Sequence, residues 1–132
     1  VGVLAVHMFV VGREVYVHEL TPRPCALGLF TLDSCRVDQY EQQVRAVCGL
    51  ALAETSMVVP GIAVVGLGSE LWANGEPEWE RVLVNPTARL HRYDNALDGS
   101  EQIQRGHLTA CSGTAAGSTS VVRQLRKQLT NR

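Results

Sequence analysis

His7 and Glu19 stand on either side of a Gly12-Arg13 turn. If the two flanking segments pair as a hairpin, these side chains lie on faces that can meet. An imidazole and a carboxylate at the end of a sheet can hold a cation. An incidental polar pair fits the same spacing. Shortly after Glu19 comes Arg23, set between Pro22 and Pro24. Proline fixes the backbone on both sides of it, and a preset guanidinium fork suits an anion. A surface arginine in a loop is the plain alternative.

Other motifs are weaker. "VVGLGSEL" contains G-x-G after a strand, but Leu71 takes the place of the third glycine of a dinucleotide fingerprint. Turn glycines account for it. "GTAAGSTS" lacks the Gly-Lys-Ser/Thr end of a phosphate loop and reads as a flexible lead-in to a helix. His91 reads as a surface or edge histidine, and His107 as structural. No Ser/His/Asp or Cys/His set follows from spacing.

The elements that must carry these residues are legible from periodicity. Residues 1–11, VGVLAVHMFVV, are apolar and β-branched, as a strand buried on both faces would be. Residues 14–20 form its hairpin partner, with Val17, Glu19 and Thr21 on one face and His18 on the other. Pro22, Pro24 and Gly28 hold residues 21–31 in a loop. A helix is predicted from Asp33 or Ser34, as N-cap, to Cys48, with Val37, Tyr40, Val44 and Val47 at helical spacing and Gly49 as its stop. We expect the hairpin to pack on this helix.

Residues 57–67, MVVPGIAVVGL, read as a strand whose proline implies an edge position or a bulge. "WANGEPEWERVLV" reads as a turn and a short helix from Pro77. Residues 88–94 and 105–113 read as strands joined by the polar "NALDGSEQ". The stretch from Ser118 onward reads as an amphipathic helix with basic residues near its end. The fold class is α+β.

Composition bounds the function. The formal net charge of -1 over 132 residues argues against a nucleic-acid or membrane-surface partner, since both need a basic excess. No apolar run approaches the roughly 20 residues of a membrane span. The four cysteines, Cys25, Cys35, Cys48 and Cys111, show no CxxC and read as reduced thiols in a cytoplasmic protein. The chain begins in a strand without a methionine, and we expect a fragment.

Several stretches carry a specific resemblance. "GVLAVHMFVVGREVYVHELTPRPCALGLFTLDSCRVDQYEQQVRAVCGLAL", and further on "LWANGEPEWERVLVNPTARLHRY" and "GHLT", resemble the C-terminal part of the N5-carboxyaminoimidazole ribonucleotide synthases of the ATP-grasp superfamily. The likeness extends over residues 1 to about 110. It implies the end of an ATP-grasp domain over residues 1–53 and a small β-rich domain with a terminal helix over residues 54–132. It also implies a reaction in which aminoimidazole ribonucleotide, bicarbonate and ATP give N5-carboxyaminoimidazole ribonucleotide, ADP and phosphate, with Mg2+ accompanying ATP. Homodimers are common in that family. The likeness further implies that N-terminal domains, which recognise adenine, are missing here.

Residue by residue, Glu19 matches a metal carboxylate and Arg23 the catalytic, anion-binding arginine. His7 replaces the second metal carboxylate. Cys25 and Ala26 replace a His-Asn pair that resembles a bicarbonate contact. Ile103 and Gln104 replace an Arg-Lys pair that resembles a contact to the ribonucleotide phosphate, and Arg105 is one place along. The departures cluster where chemistry occurs, while Val3, Phe9, Tyr40, Arg45, Trp72 and Trp79 keep the scaffold character. Two functions therefore stand: a fragment of a carboxylating ligase, inactive alone, or a degenerate ATP-grasp remnant acting as a binding or structural module. A third reading is a softer cation such as zinc on His7, His18 and Glu19, against which His18 should face away.

Overall fold

The computed structural model describes residues 1–93 and 104–130. The polar connection expected at "NALDGSEQ", and Ile103, lie outside them. The chain divides into two compact units, Val1–Val58 and Val59–Arg132.

In the first unit, β1 (Ala5–Val11) and β2 (Glu14–Thr21) pair antiparallel around the turn, where Gly12 takes a positive φ of 63°. His7 lies opposite Glu19, but Met8 lies opposite Val17. His18 is thus an extra residue in β2, a β-bulge that upsets the simple alternation of faces. The hairpin forms as expected, but its burial does not. Met8, Phe9, Val10, Val11, Val15 and Val17 are all more than half exposed, so the strand expected to be buried on both faces is buried on neither, and the following helix does not cover it.

That helix also starts later than expected. Thr31–Ser34 form a single turn, α1, and α2 runs Gln39–Val47. Between them Cys35 is extended and bridges Met57, with Arg36 N–H donating to Ser56 O and Val58 N–H to Ser34 O. This nonlocal pairing breaks the helix, and the cap is Asp38, whose carboxylate accepts from the N–H of Tyr40 and Glu41. At the other end Gly49 has φ +66°, Leu50 N–H reaches Arg45 O at 2.8 Å, and Gly49 N–H reaches Ala46 O. These two bonds form a Schellman stop.

In the second unit, β3 (Ile62–Gly68), β5 (Gln104–Cys111) and β4 (Ala88–Arg92) form an antiparallel sheet in the order β3-β5-β4. The strand expected over 57–67 is shorter: β3 begins at Ile62, leaves Pro60 outside it, and lies at an edge of the sheet. Gly66 and Gly68 are within β3, opposite His107 and Gln104, rather than in a turn. Helix α3 (Glu80–Leu83) begins at Glu80, later than Pro77. Helix α4 (Ala115–Thr130) begins three residues before Ser118 because Thr114 Oγ1 accepts from Gly117 N–H, so "GTAAGSTS" is mostly helix rather than a flexible lead-in.

Ser118, Val122, Leu125 and Leu129 recur at helical spacing and are buried, packing α4 on Leu67, Leu108 and Ala110 of the sheet with Val82 and Leu71. Each large aliphatic side chain buried this way contributes about 1.5–3 kcal/mol. Ser118 is satisfied within that core: its Oγ donates to Gly61 O and accepts from Ser112 N–H. No helix among the described residues is long and apolar enough to cross a membrane.

Candidate functional site

The loop after β2 is held by the amide of one glutamine. Gln39, 8% exposed, accepts from Cys25 N–H at 3.1 Å and donates to Cys25 O at 2.9 Å. Its own N–H is accepted by Thr31 Oγ1, which donates to Gly28 O. Helix α2 repeats the device: Gln42 both donates to and accepts from the backbone of Ala53, and Gln43 accepts from Val3 N–H. Polar side chains, rather than the apolar positions at helical spacing, therefore fasten α2 to its surroundings. Tyr40, Val44 and Val47 remain exposed.

The structure brings His7 and Glu19 together as cross-strand partners. His7 Nε2 is buried without a hydrogen-bond partner, while Glu19 is exposed and accepts a 3.4 Å bond from Thr21 Oγ1. His18, expected to face away, does not: its ring stacks on Phe9 with centroids 4.7 Å apart, and Phe9 alternates onto the face of His7. The bulge is the cause. Even so, His7, His18 and Glu19 do not bring three donor atoms within 4.8 Å of one another. Arg23 is exposed, makes no ion pair with Glu19, and donates from Nη1 to Pro24 O at 3.3 Å. Cys25 is half-buried and Ala26 exposed.

A magnesium ion does not fit this donor set. Mg2+ demands oxygen ligands in near-octahedral geometry, and a neutral imidazole suits softer ions. Glu19 supplies oxygen, but the neighbour that must share the ion offers a buried nitrogen.

The second unit holds a more organised cluster. Trp72 Nε1 donates to Glu76 Oε2 at 3.0 Å and Trp79 Nε1 to Glu76 Oε1 at 2.6 Å, with the indole rings 5.4 Å apart. Arg92 pairs with Glu76 at 2.9 Å and lies over Trp79, and Arg105 lies 4.7 Å over Trp72. The Trp79 indole bond, followed by that of Trp72 and the charges of Arg92 and Arg105, holds the Glu76 carboxyl below the usual carboxylate range against its partial desolvation. Trp72, Arg92, Tyr93 and Arg105 line an open pocket of about 360 Å³. Gln104 lies against Gly66, and Arg105 beside it is an extra residue in β5, a second β-bulge. Behind the pocket, His91 and His107 face each other across β4 and β5 with rings stacked 4.2 Å apart, and the Tyr93 hydroxyl meets His107 Nδ1. The family resemblance places both tryptophans in the scaffold. The signal that could have exposed this cluster was an acid between two tryptophans in "WANGEPEW", followed by arginines on two strands.

Residues 1–40 match the ATP-grasp domain family. The N5-carboxyaminoimidazole ribonucleotide synthase of Bacillus subtilis (strain 168) is 50% identical over 72 residues, covering 54% of this chain and 19% of that protein. The chain is homologous to part of the N5-carboxyaminoimidazole ribonucleotide synthases. The synthase of Synechococcus elongatus is 34% identical over 111 residues, covering 83% of this chain and 28% of its own. Among solved structures, the ADP complex of an N5-carboxyaminoimidazole ribonucleotide synthetase has a TM-score of 0.76 at 32% identity, over 95% of this chain and 32% of that one. The chain thus spans a third or less of the length of these synthases, and the expected α+β fold matches theirs.

Proposed function

We propose that the chain serves as the C-terminal part of an ATP-dependent carboxylating ligase of de novo purine synthesis, and that alone it is inactive. What supports the reading most is the likeness to the synthases together with the match of residues 1–40, which carry the hairpin, Glu19 and Arg23, to the ATP-grasp domain family. The reaction consumes ATP because bicarbonate is a poor electrophile. Phosphorylation makes carboxyphosphate, which releases phosphate and delivers CO2 to the amine of aminoimidazole ribonucleotide. Within that scheme Arg23 offers its guanidinium to bicarbonate or the transferring phosphate, beside the backbone of Cys25 and Ala26. Arg105, with Gln104 beside it, receives the ribonucleotide phosphate. Glu19 stands where the family keeps a metal carboxylate, but with His7 beside it the pair does not suit the Mg2+ that accompanies ATP.

The exposed apolar faces of the hairpin and of α2 support a need for further domains or a second copy in a homodimer. Adenine recognition belongs to those further domains, and chemistry without their positioning should not proceed. The workplace is the cytoplasm. A non-catalytic binding or structural module is the second reading, favoured by His7, Cys25 and Ala26 standing where the family keeps polar, charged groups.

The test is phosphate release from the purified chain with ATP, bicarbonate and aminoimidazole ribonucleotide. No release is expected from this chain alone, nor from its His7→Glu variant, which should gain affinity for Mg2+. Release that depends on bicarbonate and disappears in Glu19→Gln would refute inactivity. Activity regained when the N-terminal two thirds of a synthase is added in trans decides for the ligase over the module.

A further inference from the structure

Two indole N–H groups converge on one carboxylate at the edge of the pocket lined by Trp72, Arg92, Tyr93 and Arg105. Each indole meets a different oxygen of that group, so both oxygens must be acceptors. A glutamine there would accept from one indole and oppose the other with its own N–H. Each indole in turn is the platform for a guanidinium, Trp79 for Arg92 and Trp72 for Arg105. Arg92 is also paired directly with Glu76, whereas Arg105 forms no ion pair among the described residues. The arrangement therefore holds one guanidinium by charge and stacking and leaves the other, fixed by stacking, open to an external anion.

We propose that Glu76 is a positioning residue: it fixes both indoles, and through them aims Arg92 and Arg105 at a phosphate monoester in this pocket. The proposal rests on the reading above, in which Arg105 receives the ribonucleotide phosphate. Its sign is informative. Glu76 puts a negative charge beside an anion site, so removing that charge strengthens the field that draws phosphate in. Positioning acts the other way, because guanidiniums freed from their platforms must be ordered when the ligand binds.

The chain has only two tryptophans, and both belong to this cluster, so tryptophan fluorescence, excited selectively over tyrosine, reports on it alone. The experiment titrates the 132-residue chain with ribose 5-phosphate, with ribose and sulfate as controls. A saturable change is expected with ribose 5-phosphate, and it should be lost in Arg105→Met. Glu76→Gln should weaken binding about fivefold or more although the pocket gains positive charge, and Glu76→Asp, which keeps both acceptors, should recover part of the loss. Equal or tighter binding by Glu76→Gln, with Arg105→Met still defective, overturns the positioning role and leaves the Arg105 reading intact. No saturable response in the parent chain, or full binding by Arg105→Met, overturns the phosphate reading and the positioning role together. If Glu76→Gln does not fold, Trp79→Phe carries the test: it removes one of the two donors, and unchanged affinity overturns the proposal.

Discussion

Gln39→Met removes the clamp on the Pro-Arg-Pro loop while keeping side-chain volume. The parent glutamine makes two bonds to Cys25, one to its N–H at 3.1 Å and one to its carbonyl at 2.9 Å. Each is worth about 1 kcal/mol net, and more where the abandoned backbone group stays dry. Cys25 is only half-buried, so water replaces part of what is lost. The expected cost is about 2 kcal/mol, felt locally at the loop. That corresponds to a roughly 30-fold rise in the opening equilibrium of this segment. Native-state hydrogen exchange reads it directly, since the Cys25 amide has Gln39 as its bonding partner. Gly28→Ala should reproduce the effect, because a Cβ at that position collides with the Gln39 side-chain oxygen. Exchange at Cys25 within about threefold of the parent in Gln39→Met would show that the loop holds itself without the clamp.

In the second unit, Leu108 is fully buried on the central strand, and Leu108→Ala should cost about 2–5 kcal/mol in chemical denaturation, against less than about 1.5 for Leu108→Met; equal costs would deny that cavity formation dominates. Acid should loosen the Trp72–Glu76–Trp79 cluster. The Glu76 carboxyl titrates below its ordinary 4.5 when folded, so its contribution is complete above that pH and is lost as pH falls through the lower folded value. Tryptophan emission should thus stay constant down to about pH 4.5 and change below it, and a transition centred above 4.5 refutes the assignment.

What could be read in the sequence was mostly local. Gly49 ends α2 because a positive φ is needed there, and a glycine after a helical run says so. Strands β4 and β5 fall close to where the sequence reads as strand, whereas β3 begins only after Pro60. The start of α2 was misplaced because the break at Cys35 comes from pairing with Met57, a partner 22 residues away in the chain. The face of His18 was misjudged because a bulge leaves no mark on an alternating pattern. The apolar run of β1 signals a surface to be covered, but not what covers it. The Glu76 cluster was missed because its members come from two turns and two strands, and only the fold gathers them.

That apolar run has a consequence for the molecule's solution behaviour. AVHMFVV contains no proline and no acidic or basic residue other than a histidine, and it forms one side of a two-stranded sheet with a free edge. Such segments are templates for cross-β stacking, and nothing in β1 acts as a gatekeeper against it. The nearest charges along the chain, Arg13 in the turn and Glu14 at the start of β2, sit at the tip of the hairpin and leave the outer edge of β1 uncharged. A two-stranded sheet in water is at best marginally stable, so β1 will spend time unpaired and open to a like strand. Concentrating the chain should therefore favour fibril-like association seeded at β1, and a single lysine at Val10, on the exposed strand, is the smallest change that opposes it.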